Sequence, residues 1–335
     1  MTLKPLKISL FLLLILPFSS FAQFSKFTFQ RPKMGSPFSI TVFADDALML
    51  LPIIEKAYTR VDSLNKIFSD YLESSEINTV CQRTQIWQPI SKDLYHLLQI
   101  SADAHKITNG SFDITVGQIV KVWRKARKTK QIPDDAELQA ALRKTGFKNI
   151  EIDENSPQIR FNTEGILLDF GGIAKGFAAQ EVVDILTKNG FPYCLVDAGG
   201  DLVAGQKPQS EGWKIGISLP NSEKKLMPQL LSIENQAVAT SGDMYQFFEH
   251  NGKRYSHIVN PKTGLGVTHQ RNVTIIAPDG ATADWLATAC SILPLRKAKR
   301  LIKKYPHTAL LILEYKKGKI KSFQSRHFAK YFFLN

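Results

Sequence analysis

The chain has little cysteine. Its 335 residues include three, Cys81, Cys194 and Cys290. An odd number leaves at least one free thiol, and no two are spaced as zinc ligands are. Neither a disulfide scaffold nor a structural zinc domain is therefore expected. Cys194 and Cys290 stand in apolar stretches and read as buried thiols. Long hydrophobic runs are scarce too. The one that occurs, Ile8 to Leu16, is too short to span a bilayer. There is no internal repeat, no low-complexity tract and no clean linker, so solenoids and tethered modules are not expected. No helix-turn-helix, zinc-finger or RNP pattern occurs, and the cationic stretches are not interleaved with aromatic rings. Nucleic acid is not an expected partner.

What is present is ordinary for a globular protein: 44% hydrophobic and 22% charged residues. Lys4 and Lys7 precede the short apolar run, and Pro17 to Gln23 follow it with small residues. That order is a secretory signal peptide, residues 1–22, with cleavage after Ala22 and a periplasmic destination. An uncleaved signal anchor is the alternative. No Cys adjoins the cleavage site, so a lipidated start is not supported. Residues 23–335 are then expected to form a single domain. The formal charge is +13, with cations concentrated at Lys121 to Lys130 and Arg296 to Lys321. Such a surface suits anionic ligands or peripheral contact with the anionic inner membrane, or is simply solvated.

Periodicity predicts an α+β fold. Phe27 to Phe43 reads as two strands around Met34-Gly35-Ser36-Pro37. Ala47 to Phe68 and Leu94 to Lys106 have apolar residues at helical spacing, the first capped by Asp45 or Asp46, the second stopped by Asn109-Gly110. Lys121 to Gln131 reads as an exposed polar stretch. A helix follows from Asp134-Asp135 to Lys144, then a hairpin of Ile150 to Ile152 with Gln158 to Phe161. Ile166 to Leu168 reads as a buried strand running through Gly171-Gly172 into a helix ending near Leu186. Strands are expected around Cys194, Trp213, Leu230 and Asn272 to Ala277. A helix at Ala283 to Cys290 and a closing hairpin from Thr308 to Ser322 complete the chain.

Candidate chemistry is scattered. Ser241 and His257 lie on Thr240-Ser241-Gly242-Asp243 and on Ser256 to Gly264, segments full of turn formers. Pro261 and Gly264 make a tight turn that gives His257 a stiff platform; a surface His beside a loop is the plainer alternative. The strand–glycine–helix order around Gly171-Gly172 resembles a phosphate cradle, to which Lys175 could add charge. It matches neither nucleotide-loop pattern, and a tight turn with packing glycines explains it as well. Asp284 and Thr288 are four apart on one helix face. Paired oxygens suit a hard cation such as Mg²⁺; an Asp near a helix start and an inward-packed Thr would also explain them. Gly110-Ser111-Phe112-Asp113 is a small-residue loop that could bring backbone close to a ligand.

In their order and spacing these blocks resemble the ApbE-type FAD:protein FMN transferases. The resemblance rests on Met34 to Pro37, Gly110 to Asp113, Asp169 to Gly176, Gly199-Gly200-Asp201, Ser241-Gly242-Asp243, His257 to Gly264 and the Asp284/Thr288 pair. It implies an ApbE-like fold of mixed sheets flanked by helices, in two lobes with FAD in the cleft. It also implies a Mg²⁺-dependent enzyme that splits FAD, attaches FMN through a phosphoester to Thr or Ser of a target flavoprotein of electron transport, and releases AMP. By the same resemblance Met34, Tyr71, Ser111, Phe112, Asp113, Asp169 and His257 bind FAD, and His257, Ser241 and Lys175 serve the chemistry. Gly172, through its carbonyl, holds the metal with Asp284 and Thr288. Family members commonly carry Asp where this chain has Asn260. Asp279-Gly280-Ala281-Thr282 does not match the family's acceptor motif, so self-flavinylation is not expected. An FAD pyrophosphatase and a non-catalytic FAD-binding protein are the competing readings.

Overall fold

The computed structural model describes residues 25–208, 211–220, 225–242 and 247–333. The signal segment and Asp243 lie outside them. One eight-stranded sheet organises the molecule: β1 Ser25–Lys33, β2 Ser36–Ala44, β3 Cys194–Asp197, β4 Asp201–Ala204, β5 Gln236–Ser241, β6 Gln270–Ala277, β7 Ala309–Lys316 and β8 Lys319–Gln324. Their spatial order is their chain order. The class is α+β, as expected. Within it every strand pair among the described residues is antiparallel, rather than of mixed direction. Neighbours joined by hairpins or by returning excursions have no need of parallel crossovers.

Side chains alternate across this sheet as a two-residue repeat requires. Ala237, Ala239, Val273, Ile275, Leu310 and Ile312 enter the main core on one face. Val238, Ile276, Leu311 and Leu313 enter a second cluster on the other face with Trp213, Phe328 and Tyr331. Both faces of β6 are thus buried, which explains its apolar run.

The main core is capped by helices: α1 Ala47–Phe68, α2 Lys92–Thr108, α3 Gly117–Thr129, α4 Ala174–Lys188 and α5 Gly280–Ile292. Their caps are local. Asp46 accepts from the Leu48 N–H at 2.8 Å, Ser91 from Leu94 at 3.2 Å and Asp279 from Thr282 at 2.8 Å. Asn109 ends α2 in the left-handed conformation. The most intimate packing is α4 on α5. A Cβ on Gly176 would lie 2.1 Å from the Gly280 carbonyl oxygen, so only glycine permits this approach. No helix among the described residues is long and apolar enough to cross a membrane.

Three segments differ from expectation. Ile166 to Phe170 joins no ladder; its backbone instead bonds to the entry of α3, from Asp169 N–H to Ile114 carbonyl at 2.7 Å and from Gly117 N–H to Leu167 carbonyl at 3.2 Å. The stretch Lys121 to Gln131 is mostly helix, and its neighbours Ile119, Val122, Trp123 and Ala126 form a buried stripe with Phe248 and Val259. Glu76–Cys81 forms a further short helix, capped by Ser75, whose six residues are too few to show a period.

Candidate active site

The start of α4 is the most charged point of the interior. Lys175 Nζ forms an ion pair with Asp201, which sits at the first position of β4. Asp284 reaches across from α5, and its Oδ2 accepts from the Gly176 N–H at 3.1 Å. The helix N-terminus expected to cradle a phosphate therefore already holds one anion, a carboxylate from α5. Asp201 and Asp284 are buried. Burial alone would push the Lys175 ammonium down, but Asp201, then Asp284 and Asp197, outweigh it and hold the group above the ordinary lysine value. Burial, followed by the charge of Asp201, pushes the Asp284 carboxyl well up, against the pull of Lys175 and the Gly176 N–H. Three acidic groups, in excess of the one ammonium, thus surround it, and burial drives Asp284 toward its neutral form.

That excess is what a divalent cation would offset, and the neighbouring oxygens fit one. Thr288 lies one turn after Asp284 on α5. Gly172 packs against it so closely that a Cβ there would stand 2.9 Å from Thr288 Oγ1. Asp284, Thr288 and Gly172 are thereby brought together. Among the described residues no group of three or more His, Cys, Asp or Glu is arranged to hold a metal. The oxygen set here is of the kind that Mg²⁺ takes, with few carboxylates and room for waters.

A second cluster lies one loop away. Asp169 Oδ1 accepts from Gly171 N–H at 2.7 Å, just before Gly172. Its other oxygen is 3.6 Å from Arg124 of α3. Arg124 also pairs with Asp70 and lies 4.1 Å above the ring of Tyr71, which is 75% exposed. Burial, then the charge of Asp70, raises the Asp169 carboxyl despite the Gly171 N–H and Arg124. Tyr71 is therefore a solvent-facing platform fixed from beneath by a guanidinium. Sequence reasoning missed Arg124, because the basic stretch read as exposed. The signal was the apolar spacing of Ile119, Val122, Trp123 and Ala126, which places Arg124 at the margin of the buried stripe.

The remaining residues divide. Asp113 is buried, accepts from Thr115 at 2.8 Å (N–H) and 2.6 Å (hydroxyl), and lies 3.2 Å from His105 Nδ1. Ser111 is buried beside it. The Phe112 ring is turned inward against Trp285, 6.0 Å between centroids, and its N–H donates to the Thr108 hydroxyl at 3.0 Å, so the ring is not placed to meet a ligand. Met34 occupies the two-residue β1–β2 turn with positive φ, as does Gly35. Ser36 beside it abuts Gly199, where a Cβ would lie 2.5 Å from its Oγ, so the Met34 turn is seated on the turn that precedes Asp201.

Ser241 ends β5. Ala239 pairs with Asp201 across the ladder, and the two-residue repeat puts Ser241 on the same face as both. His257 is half-buried in a braced segment. Ser256 N–H bonds to the Val267 carbonyl, Val267 N–H to Ile258, and the Gly264 N–H to Asn260. Asn260 Oδ1 accepts from the Lys262 N–H at 2.9 Å, so Asn serves the turn that Asp would. Trp123 donates to the Gly264 carbonyl at 2.7 Å, and its ring packs, tilted, against Tyr255 with centroids 5.0 Å apart. Helix α3 thus braces the His257 segment with Trp123 and the Tyr71 platform with Arg124. The turn also reaches the Ser111 loop: a cavity of about 450 Å³ is lined by His105, Gly110, Asp113, Gly146, Pro261 and Lys262.

An α+β frame thus gathers Lys175, Asp201, Asp284, Thr288 and Gly172 around one helix start. The chain belongs to the ApbE family, whose model matches residues 34–312. It is 28% identical over 299 residues to the FAD:protein FMN transferase of Haemophilus influenzae, covering 85% of this chain and 86% of the relative. It is 32% identical over 239 residues to the FAD:protein FMN transferase of Treponema pallidum, 67% of this chain and 66% of the relative. The Pseudomonas stutzeri flavinyl transferase ApbE, in its apo form, superposes with a TM-score of 0.81 at 25% identity, over 92% of this chain and 98% of that one.

Proposed function

We propose that this chain is an FAD:protein FMN transferase that acts after export to the periplasm, with residues 23–335 as one catalytic unit. The acceptor is a flavoprotein of electron transport that presents a Thr or Ser hydroxyl. That oxygen bonds to the FMN-side phosphorus, the phosphorus–oxygen bond to the adenylate side breaks, and AMP leaves. The observation that carries the reading is the Lys175 cluster at the start of α4. Displacement at a diphosphate calls for charge neutralisation and positioning rather than covalent help.

Lys175, paired with Asp201, would add positive charge beside the diphosphate, and the α4 N-terminus acts through the Asp284 carboxyl it holds. Tyr71 and Met34 supply apolar surface to the rings, and Ser111, Phe112 backbone, Asp113 and Asp169 line the FAD site. Ser241 positions by hydrogen bonding. His257, which also borders FAD, takes the proton of the attacking hydroxyl, a task suited to an imidazole near neutrality. The residues fit Mg²⁺: Asp284, Thr288 and the Gly172 carbonyl would hold it, and it would neutralise charge on the diphosphate. Asp279 to Thr282 caps and begins α5, with Gly280 against Gly176, a placement that supports an external acceptor.

The test is incubation with FAD, Mg²⁺ and a candidate acceptor. Covalently fluorescent acceptor together with AMP is expected. Free FMN without labelling would make the chain an FAD pyrophosphatase, and unchanged FAD would make it a binding protein. Asp284→Ala is expected to lose labelling at every Mg²⁺ concentration; full activity in that variant would refute the metal assignment.

A further inference from the structure

The larger of the two cationic clusters lies in the C-terminal part of the chain. Residues 295–330 hold twelve lysines and arginines and a single carboxylate, Glu314, against a formal charge of +13 for all 335 residues. That carboxylate is taken by Arg271, at 2.5 Å. The cations share a face. The helix Leu295–Ile302 buries Ala298, Leu301 and Ile302 and leaves Arg296, Lys297 and Arg300 exposed. Its Lys299 lies 3.8 Å over the ring of Phe323 in β8. The two-residue repeat puts Lys319 and Lys321 on the same side of the strand as Phe323. Lys316 faces Lys319 directly across the hairpin, and Lys317 and Gly318 form its positive-φ tip. Like charges opposite one another weaken a sheet. An edge strand needs only one or two lysines to deter pairing, and these continue off the edge onto the helix and the turn after it.

We propose that this helix-and-hairpin face binds the anionic phospholipid headgroups of a membrane surface. Nine of the twelve cations are lysines. Lysine is depleted in protein–protein interfaces, where arginine and aromatic anchors dominate. A broad field of ammonium groups, with Leu295 37% exposed beside them, suits a diffuse anionic surface. Residues of the proposed FAD site take no part, so the inference stands apart from the transferase reading.

The test is cosedimentation of the purified chain with phosphatidylcholine vesicles with and without phosphatidylglycerol. Binding is expected to require phosphatidylglycerol and to fall as salt rises. Lys317→Glu/Lys319→Glu/Lys321→Glu should lower partitioning about tenfold or more. Lys121→Glu/Lys128→Glu/Lys188→Glu changes net charge equally elsewhere and should stay within about threefold of wild type. Equal loss in both triples, unchanged binding in the first, or no vesicle binding by the wild type would overturn the proposal. So would retention by an acidic acceptor protein in place of vesicles. Labelling of a soluble acceptor by the first triple separates failure here from failure of the transferase reading.

Discussion

Arg124 shows how one side chain can govern a site it does not enter. It offsets the repulsion between Asp70 and Asp169 and supports the Tyr71 ring. Arg124→Ala is expected to weaken FAD binding about fivefold, the worth of roughly 1 kcal/mol of cation–π support. Arg124→Lys, which keeps the charge but not the flat stack, should fall between. Flavin fluorescence titration without divalent cation reads both. Glu314 gives a pH-dependent case. Its own burial raises the carboxyl, but the hydrogen bond and charge of Arg271 more than reverse this and leave it below the ordinary value. A lowered native pKa stabilises above the unfolded pKa and is lost as pH falls through the native one. Glu314→Gln should therefore cost about 1 kcal/mol at neutral pH, because the amide oxygen still accepts from Arg271 but the charge that strengthened the bond is gone. That difference should close in acid below the ordinary glutamate range, as measured by denaturant unfolding.

At the scale of elements, the α4–α5 crossing fixes the Lys175 cluster. Gly176→Ala is expected to destabilise by about 2–3 kcal/mol, because backbone oxygen rather than a flexible side chain meets the new methyl. Thermal unfolding would show it, and magnesium-dependent labelling should fall with it. Elements with their own caps and period were readable in advance. Helix α1 has its cap at Asp46 and its stripe from Leu50 to Phe68, and the β1–β2 turn is marked by Met34-Gly35. Helix α3 was obscured because five of its thirteen residues are cationic, so its buried side drew no notice beside its charge. Ile166 to Phe170 reads as a strand because a short apolar run is a local signal, whereas ladder partners are chosen by distant chain. The Asp284/Thr288 pair was visible as an i, i+4 spacing. The contact of Lys175 with Asp201 was not, since only the register of β4 beside β5 delivers it.

For the whole molecule, the three cysteines report on cooperativity. Cys81, Cys194 and Cys290 come from three different elements yet lie in the same core cluster. Burial pushes each thiol up to about 12. None should react with a thiol reagent in the native chain, and all three should become reactive in one transition as denaturant rises. Staggered exposure would instead reveal separable parts.

The strict chain-order meander of β1 to β8 sets its two edge strands seven strand spacings apart, roughly 34 Å of sheet width. The chain does not stay at the far rim. After β8 it turns back, with Phe328 and Tyr331 packed in the second cluster, where Gln236 of β5 donates to the Tyr331 hydroxyl at 2.9 Å. Shortening the protein by residues 328–335 would therefore uncover the middle of the sheet rather than trim its edge.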